Sequence, residues 1–450
     1  MAPWGRALLE RFQHPAQVVV TGFVITIVTG TLLLSLPAAT HGAGSARLLD
    51  ALFTATSAVC VTGLVTVDTG AHWTAFGEIV ILGLIQVGGL GLMTLATLFA
   101  ILLSGRLGLR ARLVAQAETK TLRPTDVRRV VRNVVLFSLA SEAVVAVVLS
   151  ARLALSYDEP FGRAVYLGVF HSVSAFNNAG FALWPDSLVR FAADPWISLS
   201  ICAAIIVGGL GFPVVFELAR HWRRPRTWSM LTRVTLVTSA VLLAGGTVVL
   251  TVAEWTNPAT LGALSGPARG LAGFTAAVMP RTAGFNNIDV SQMRTESWLA
   301  TDLLMFIGGG SAGTAGGIKV TTFGLLAFVL WAEMRGEPRV NVGHRRLPES
   351  TQRQAMGVVL LSVGLVAGAT FALLAMTGHS LDRVLFEVVS AFATVGLSTG
   401  ITADLPPAGH VLLIALMFIG RIGPLTLATA LALRERTRRY ELPEERPIVG

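Results

Sequence analysis

Four short stretches of this 450-residue chain repeat one pattern, in which small or polar residues lead into a glycine followed by an apolar residue. They read Cys60-Val61-Thr62-Gly63-Leu64, Asn177-Asn178-Ala179-Gly180-Phe181, Arg281-Thr282-Ala283-Gly284-Phe285 and Ala393-Thr394-Val395-Gly396-Leu397. The glycines lie 117, 104 and 112 residues apart. Glycine admits positive φ, so a loop built on it can turn carbonyl oxygens toward a common axis. A ring of such carbonyls replaces the hydration shell of a bare monovalent cation, and no carboxylate is needed for that chemistry.

A second landmark keeps register with the first. It is Gly88-Gly89-Leu90-Gly91, Gly208-Gly209-Leu210-Gly211, Gly308-Gly309-Gly310 and Gly420-Arg421-Ile422-Gly423, beginning 25, 28, 24 and 24 residues after the loop glycine. Glycine alone is common where membrane helices pack closely. Two landmarks in step across four segments indicate an internal repeat. The residues before the loops match as well: Thr56-Ser57-Ala58, Ser174-Ala175-Phe176 and Ser390-Ala391-Phe392, with Phe274-Thr275-Ala276 a looser third.

The elements that hold these loops must lie in a membrane. Hydrophobic residues make up 53% of the chain, charged residues 14%, and the mean hydropathy is +0.67. Soluble domains carry about 25% charged residues, so a cytosolic enzyme and a disordered chain are both disfavoured. Eight apolar segments have the length of a crossing, at 18–36, 76–103, 130–153, 197–218, 234–252, 298–331, 355–376 and 410–433. The first is too long for the core of a cleavable signal. Between the members of each pair lies a stretch too short to span, at 49–61, 161–176, 267–280 and 381–393. These suit half-helices, tolerated at membrane depth where protein or a water-filled cavity satisfies their free backbone groups.

The expected fold is therefore an all-α integral membrane protein. It has four tandem helix–pore-helix–helix units around a pseudo-fourfold pore and eight transmembrane helices. The units divide the chain at 1–105, 106–224, 225–340 and 341–450. Arginines cluster at the head (Arg6, Arg11), in alternate connectors (among them Arg106, Arg110, Arg112, Arg220, Arg223, Arg224, Arg335 and Arg339) and in the tail (Arg434, Arg436, Arg438, Arg439). The positive-inside rule puts both termini and these clusters in the cytoplasm, so the half-helices enter from outside. Their C-terminal ends then carry partial negative charge toward mid-membrane, which favours a cation. The net charge of +9 reads as topology and contact with anionic lipid rather than nucleic-acid binding. Cys60 and Cys202 lie far apart in apolar segments and form neither a metal spacing nor a disulfide framework.

The sixth span is interrupted by Gly308-Gly309-Gly310-Ser311-Ala312-Gly313-Thr314-Ala315-Gly316-Gly317. Six glycines in ten positions disfavour a continuous helix, and broken backbone at this depth must line a cavity. The reading is a flexible loop under the ring that blocks the pore; a closely packed helix is the alternative. Lys319 follows the loop and Arg421 interrupts the eighth span. A cation inside the membrane is costly and points to function. Arg421 is placed to donate to the loop carbonyls and to raise the barrier to a passing cation. The alternative is a structural pairing with Asp302.

The four loops, and in particular the runs Phe176-Asn177-Asn178-Ala179-Gly180-Phe181, Arg281-Thr282-Ala283-Gly284-Phe285-Asn286 and Thr394-Val395-Gly396-Leu397-Ser398-Thr399-Gly400, resemble those of the Trk/Ktr/HKT superfamily of potassium transporters, most closely its bacterial KtrB branch. The resemblance covers essentially the whole chain. It implies a selectivity filter at Cys60 through Gly63, Asn177 through Gly180, Arg281 through Gly284 and Ala393 through Gly396, with four glycines as in potassium-selective members. Cys60 stands where a small hydroxyl residue is also common. It implies a gating loop in the broken span, a homodimer with the tail at its interface, and location in the bacterial inner membrane. It also implies a separate cytosolic ring subunit of the RCK type, KtrA-like, that binds ATP or ADP. The resemblance implies potassium as the transported ion; dependence on sodium follows by analogy only. On this resemblance the chain is expected to begin directly with the first unit and to rely on that separate subunit for nucleotide binding.

Other residues have plainer readings. His171 is expected to hydrogen-bond within its half-helix, and Glu387 to serve as a buried acceptor or an outer cation site. Asn177, Asn178, Asn286 and Asn287 buttress loops or line the vestibule. Asp68, Asp186 and Asp289 either gather cations at the mouth or are solvated turn residues. No catalytic triad or phosphate-binding loop is present in the pattern, and Gly89-Leu90-Gly91 lacks the strand–helix setting of a nucleotide fingerprint. The transport alternatives are a sodium or poorly selective cation pathway and an alternating-access symporter with broken helices.

Overall fold

The structure, a computed structural model, describes residues 15–42, 44–90, 127–343 and 345–423. The expected second and eighth spans run into residues outside these ranges. The head arginines, the connector at 106–123 and the tail also lie outside them.

The described chain is built of helices in four successive groups. The first holds α1 (Pro15–Leu34), α2 (Leu48–Val59) and α3 (Ala75–Gly89). The second holds α4 (Val127–Ser156), α5 (Phe161–Phe176), α6 (Pro195–Leu210) and α7 (Phe212–His221). The third holds α8 (Met230–Glu254), α9 (Gly266–Val278), α10 (Thr295–Phe306) and α11 (Val320–Met334), and the fourth α12 (Glu349–Met376), α13 (Leu381–Phe392) and α14 (Pro407–Ile422). A two-residue hairpin, β1 (Asn341–Val342) with β2 (Arg345–Arg346), lies between the third and fourth groups.

Helix starts follow local chemistry. Asp194 caps α6, accepting from the Trp196 amide at 2.9 Å, with Pro195 at the first position, where its missing N–H costs nothing. Ser229 caps α8 from the Thr232 amide at 3.3 Å. Among the described residues three helices are long and apolar enough to cross a membrane alone: α4 over Val131–Ser156, α8 and α12. Large apolar side chains on their outer faces stay uncovered, among them Val144, Val147, Val237, Val241, Leu360 and Phe371. Water penalises such a surface and hydrocarbon does not.

Packing runs in a circle. Within each group the long first helix packs on the short one: α1 on α2, α4 on α5, α8 on α9, α12 on α13. Between groups, α3 packs on α5, α6 on α9, α10 on α13, and α14 returns to α2. The short helices are therefore drawn inward, and most of their side chains are buried.

The fourth apolar segment departs from the expectation of one continuous crossing. It bends by 100° between α6 and α7 at Gly211, which has φ 92°. The glycine-rich loop after α10 seats itself in this bend. The Phe212 amide donates to Ala312 O at 3.3 Å, and a Cβ added to Gly211 would stand 2.3 Å from Ser311 O. A side chain there would evict the loop, and the left-handed φ disfavours one in any case. Gly423, at the end of α14, has the same conformation with φ 91°.

Candidate functional site: a ring of four loops and a broken helix

Each short helix ends in the same backbone turn. The residue two before the glycine is left-handed although it is not glycine: Val61 (φ 55°), Asn178 (59°), Thr282 (65°) and Thr394 (50°). The glycines follow with φ 93°, 71°, 74° and 98°. Strain of this kind persists where the surroundings over-determine it. Here the residue six before the glycine helps. Ser57 accepts from the Gly63 amide at 3.0 Å, and Ser390 from the Gly396 amide at 3.1 Å. Ser174 instead donates to Phe181 O at 2.8 Å. In the third segment that position is Val278, so the third turn is held through Ala283 N to Met279 O at 3.0 Å and by Asn178 Nδ2, which donates to Arg281 O at 3.4 Å.

The four glycines meet. A Cβ added to Gly63 would stand 2.4 Å from Ala179 O, and one on Gly180 2.8 Å from Ala283 O. One on Gly284 would stand 2.4 Å from Val395 O, and one on Gly396 2.0 Å from Thr62 O. Each glycine thus faces the carbonyl that precedes the next glycine in chain order, and the fourth faces the first. Only hydrogen fits at these positions. Cys60, Asn177 and Ala393 cap their short helices, while Arg281 lies two residues past the Met279 cap. All the loop residues named from the sequence are buried. The hydroxyls of Thr62, Thr282 and Thr394 are buried without a hydrogen-bond partner among the described residues.

The stretch 307–319 is non-helical, as expected, and it is anchored on all sides. Its ends pair, with Gly308 N donating to Ile318 O at 2.9 Å. Gly310 N donates to Gly209 O at 2.7 Å and Thr314 N to Gly208 O at 3.2 Å, so the loop leans on the second landmark of the second group. The Thr314 hydroxyl donates to Asn178 Oδ1 at 3.2 Å. On the opposite side Gly316 and Gly317 press on Ala393 and Thr394, leaving no room for a Cβ on Gly316. Ser311 and Thr321 share a hydrogen bond of 2.8 Å, Lys319 Nζ donates to Ala315 O at 2.6 Å, and Ala312 is left-handed. The loop therefore packs against the second, third and fourth ring loops.

Arg421 on α14 is buried and donates to the Thr314 carbonyl and, at 2.7 Å, to Gly88 O. It joins the broken helix to the first group. Asp302, the alternative partner, is buried on α10 with Oδ1 unbonded among the described residues. Two contacts of the ring loops escaped the sequence reading. Arg281, read as a ring residue, sends Nη2 to Gly308 O at 2.9 Å. Glu142, in the middle of α4, contacts Asn177 at 3.1 Å. The signal for Glu142 was present, a lone carboxylate within an apolar span.

The remaining candidates are structural. His171 contacts Leu167 O through Nδ1 at 2.7 Å, accepts from Leu183 N at Nε2 and stacks on Trp184. Glu387 accepts from Ser398, from Thr399 N at 3.1 Å and from Thr402 Oγ1 at 2.9 Å, closing the chain that leaves the fourth loop. Asn287 donates to Ala272 O at 2.9 Å, and the Asn286 carbonyl accepts from Leu188 N at 2.9 Å. Asp68 and Asp289 cap turns and Asp186 pairs with Arg190 at 2.6 Å.

Comparison with known proteins agrees with this architecture. The family described as TrkH, cation transport protein, matches residues 6–440. The Ktr system potassium uptake protein B of Bacillus subtilis is 41% identical over 423 residues, covering 94% of each chain. Its namesake from Vibrio alginolyticus is 39% identical over 435 residues, covering 96% of this chain and 94% of that one. The potassium/sodium uptake protein NtpJ of Enterococcus hirae is 34% identical over 442 residues, covering 97% of each. The crystal structure of the potassium transporter TrkH from Vibrio parahaemolyticus superposes with a TM-score of 0.71 at 19% identity, over 92% of this chain and 85% of that one. These relatives are ion transporters. This chain is a multi-pass membrane protein and belongs to the TrkH family of cation transport proteins.

Proposed function

We propose that the chain is the ion-conducting subunit of a Ktr-type potassium uptake system in the bacterial plasma membrane. The four helix groups act as four M1–P–M2 units around a pseudo-fourfold pore, with both termini cytoplasmic. The observation that carries this reading is the closed cycle of glycines and carbonyls formed by Gly63, Gly180, Gly284 and Gly396 with Thr62, Ala179, Ala283 and Val395. A dehydrated potassium ion is coordinated there by main-chain oxygens. The three buried threonine hydroxyls without partners among the described residues fit an oxygen-lined path. The membrane potential drives entry, contributing about 2.3 kcal/mol per charge per 100 mV.

The 308–317 loop is the gate in this reading. Arg421 and Asn178 hold it in place, Lys319 braces its own backbone at Ala315, and Arg421 adds a positive charge to the barrier. A cytosolic KtrA-like ring of the RCK type, responding to ATP or ADP, releases it, and two copies of the chain form the membrane unit. The name of the Bacillus subtilis relative, a Ktr system protein, supports a multi-component system. Sodium acts as an activator rather than as cargo. A second reading, in which sodium also passes, is favoured by the potassium/sodium name of the Enterococcus relative.

Two measurements test the proposal. Expression should restore growth of a potassium-uptake-deficient bacterium at low potassium, more strongly with sodium and a KtrA-type partner. The purified protein in liposomes should give a reversal potential that follows the potassium gradient and ignores the sodium gradient. A potential that follows both supports the second reading, and no ion-dependent potential in well-folded protein rejects the pore.

A further inference from the structure

Glu142 lies midway along α4, buried, in a run of apolar and small residues. A carboxylate in a span is tolerated when partners surround it. It takes part in no ion pair among the described residues. Its partners are two side-chain amides. Gln86 Nε2, from α3, donates to Oε1 at 3.1 Å and lies 3.3 Å from Oε2. Asn177 Nδ2, at the head of the second loop, donates to Oε1 at 3.1 Å.

Asn177 is boxed in. Its Nδ2 also lies 3.0 Å from Gln86 Oε1 and 2.9 Å from Val173 O. On its other side α3 presses so closely that a Cβ on Gly89 would stand 1.9 Å from Asn177 Oδ1. Asn177 caps α5, and the left-handed Asn178 follows it. Where Asn177 sits therefore decides where the loop turns and where the Ala179 carbonyl points. The equivalent positions of the other loops are Cys60, Arg281 and Ala393, none with a carboxylate bonded to its side chain among the described residues.

We propose that Glu142 is a positioning residue for ion selection. With Gln86 it pins Asn177, and through Asn177 it holds the second loop outward against collapse onto an ion smaller than potassium. This rests on the reading of the four loops as the ion filter. A carboxylate that merely satisfied the interior of α4 would leave ion discrimination untouched.

The test uses full-length protein in liposomes, checked for monodispersity and helix content. The readout is the potassium-to-sodium permeability ratio from reversal potentials. Glu142→Leu and Gln86→Leu should each lower the ratio by about tenfold, the loss of one well-placed hydrogen bond. Glu142→Gln keeps an acceptor for Asn177 and should restore most of the ratio. Asn177→Ala should match Glu142→Leu, and the double variant should lose no more than either alone. Gly180→Ser serves as the reference for the filter. A wild-type ratio in folded Glu142→Leu and Gln86→Leu, with the ratio lost in Gly180→Ser, overturns the role of Glu142 and leaves the filter standing. A wild-type ratio in Gly180→Ser overturns both.

Discussion

Arg281 Nη2 donates to the carbonyl of Gly308 at 2.9 Å, joining two segments 27 residues apart. The main chain of Arg281 belongs to the ring, and its side chain holds the first glycine of the broken helix. Its Nε and Nη1 are buried without hydrogen-bond partners among the described residues. Desolvation of a charge with so few partners makes this contact costly to keep and easy to weaken. Arg281→Gln should loosen the loop and raise potassium flux through the purified protein by up to about tenfold, from the usual strength of a charged hydrogen bond. The reversal potential should not move. Reduced flux in folded protein would count against a tether.

Arg421 grips the same loop from the far side, at Thr314. Arg421→Ala should also raise flux. Both arginines act on one loop, so the double variant should fall short of the product of the single effects. Independent multiplication would mean that the two side chains act on separate steps.

The closest approach in the ring is at Gly396, where an added Cβ would stand 2.0 Å from Thr62 O. Gly396→Ser must displace the first loop and adopt φ near 98° with a side chain. Such a backbone costs about 1–3 kcal/mol, and the ring must widen or skew. Potassium uptake should drop by about tenfold or more at that cost, and sodium should gain relative permeability. Unaltered selectivity would separate this contact from ion choice.

Gly211 provides a test of the gate that touches neither arginine. Gly211→Ala places a methyl 2.3 Å from Ser311 O at a φ of 92°. The loop should lose its seat and leak potassium, with stability lower by about 1–3 kcal/mol. A more stable, tighter protein would contradict the docking.

Asp194 links stability to pH outside the membrane-spanning segments. Burial alone would raise its pKa, but hydrogen bonds from Arg152, Tyr157 and the Trp196 and Ile197 amides outweigh it and hold the carboxyl below its ordinary value. A group depressed in the folded state stabilises above its unfolded pKa and loses that contribution as pH falls through the folded value. Asp194→Asn should therefore cost about 2 kcal/mol at neutral pH. The gap to wild type should close below about pH 4, where the unfolded carboxylate takes up its proton. Melting curves across pH measure it; a gap constant with pH would show that the charge is idle.

The ring was legible because its demands fall on single residue types at fixed spacing. Only glycine suits the close approach and positive φ, and Ser57, Ser174 and Ser390 recur six places earlier. The third segment reads loosely because Val278 replaces that serine. The broken helix was legible for the same reason, through its run of glycines. The bend at Gly211 was not, since a continuous apolar stretch hides a backbone turn fixed by a loop a hundred positions away. The side-chain reach of Arg281 and the clasp of Glu142 on Asn177 depend on helices meeting in space. One carboxylate hardly lowers the hydropathy of a long span, so Glu142 passed unnoticed.

The closed circuit of α3, α6, α10 and α14 with the short helices of their successors carries a genetic consequence. A conduit assembled from identical subunits repeats every codon change on all its walls at once. In the four-walled pore proposed for this polypeptide, a codon change strikes one wall and spares the other three. Mutation can therefore place a latch on one side and a brace on another, and each can be tuned without remaking the whole aperture.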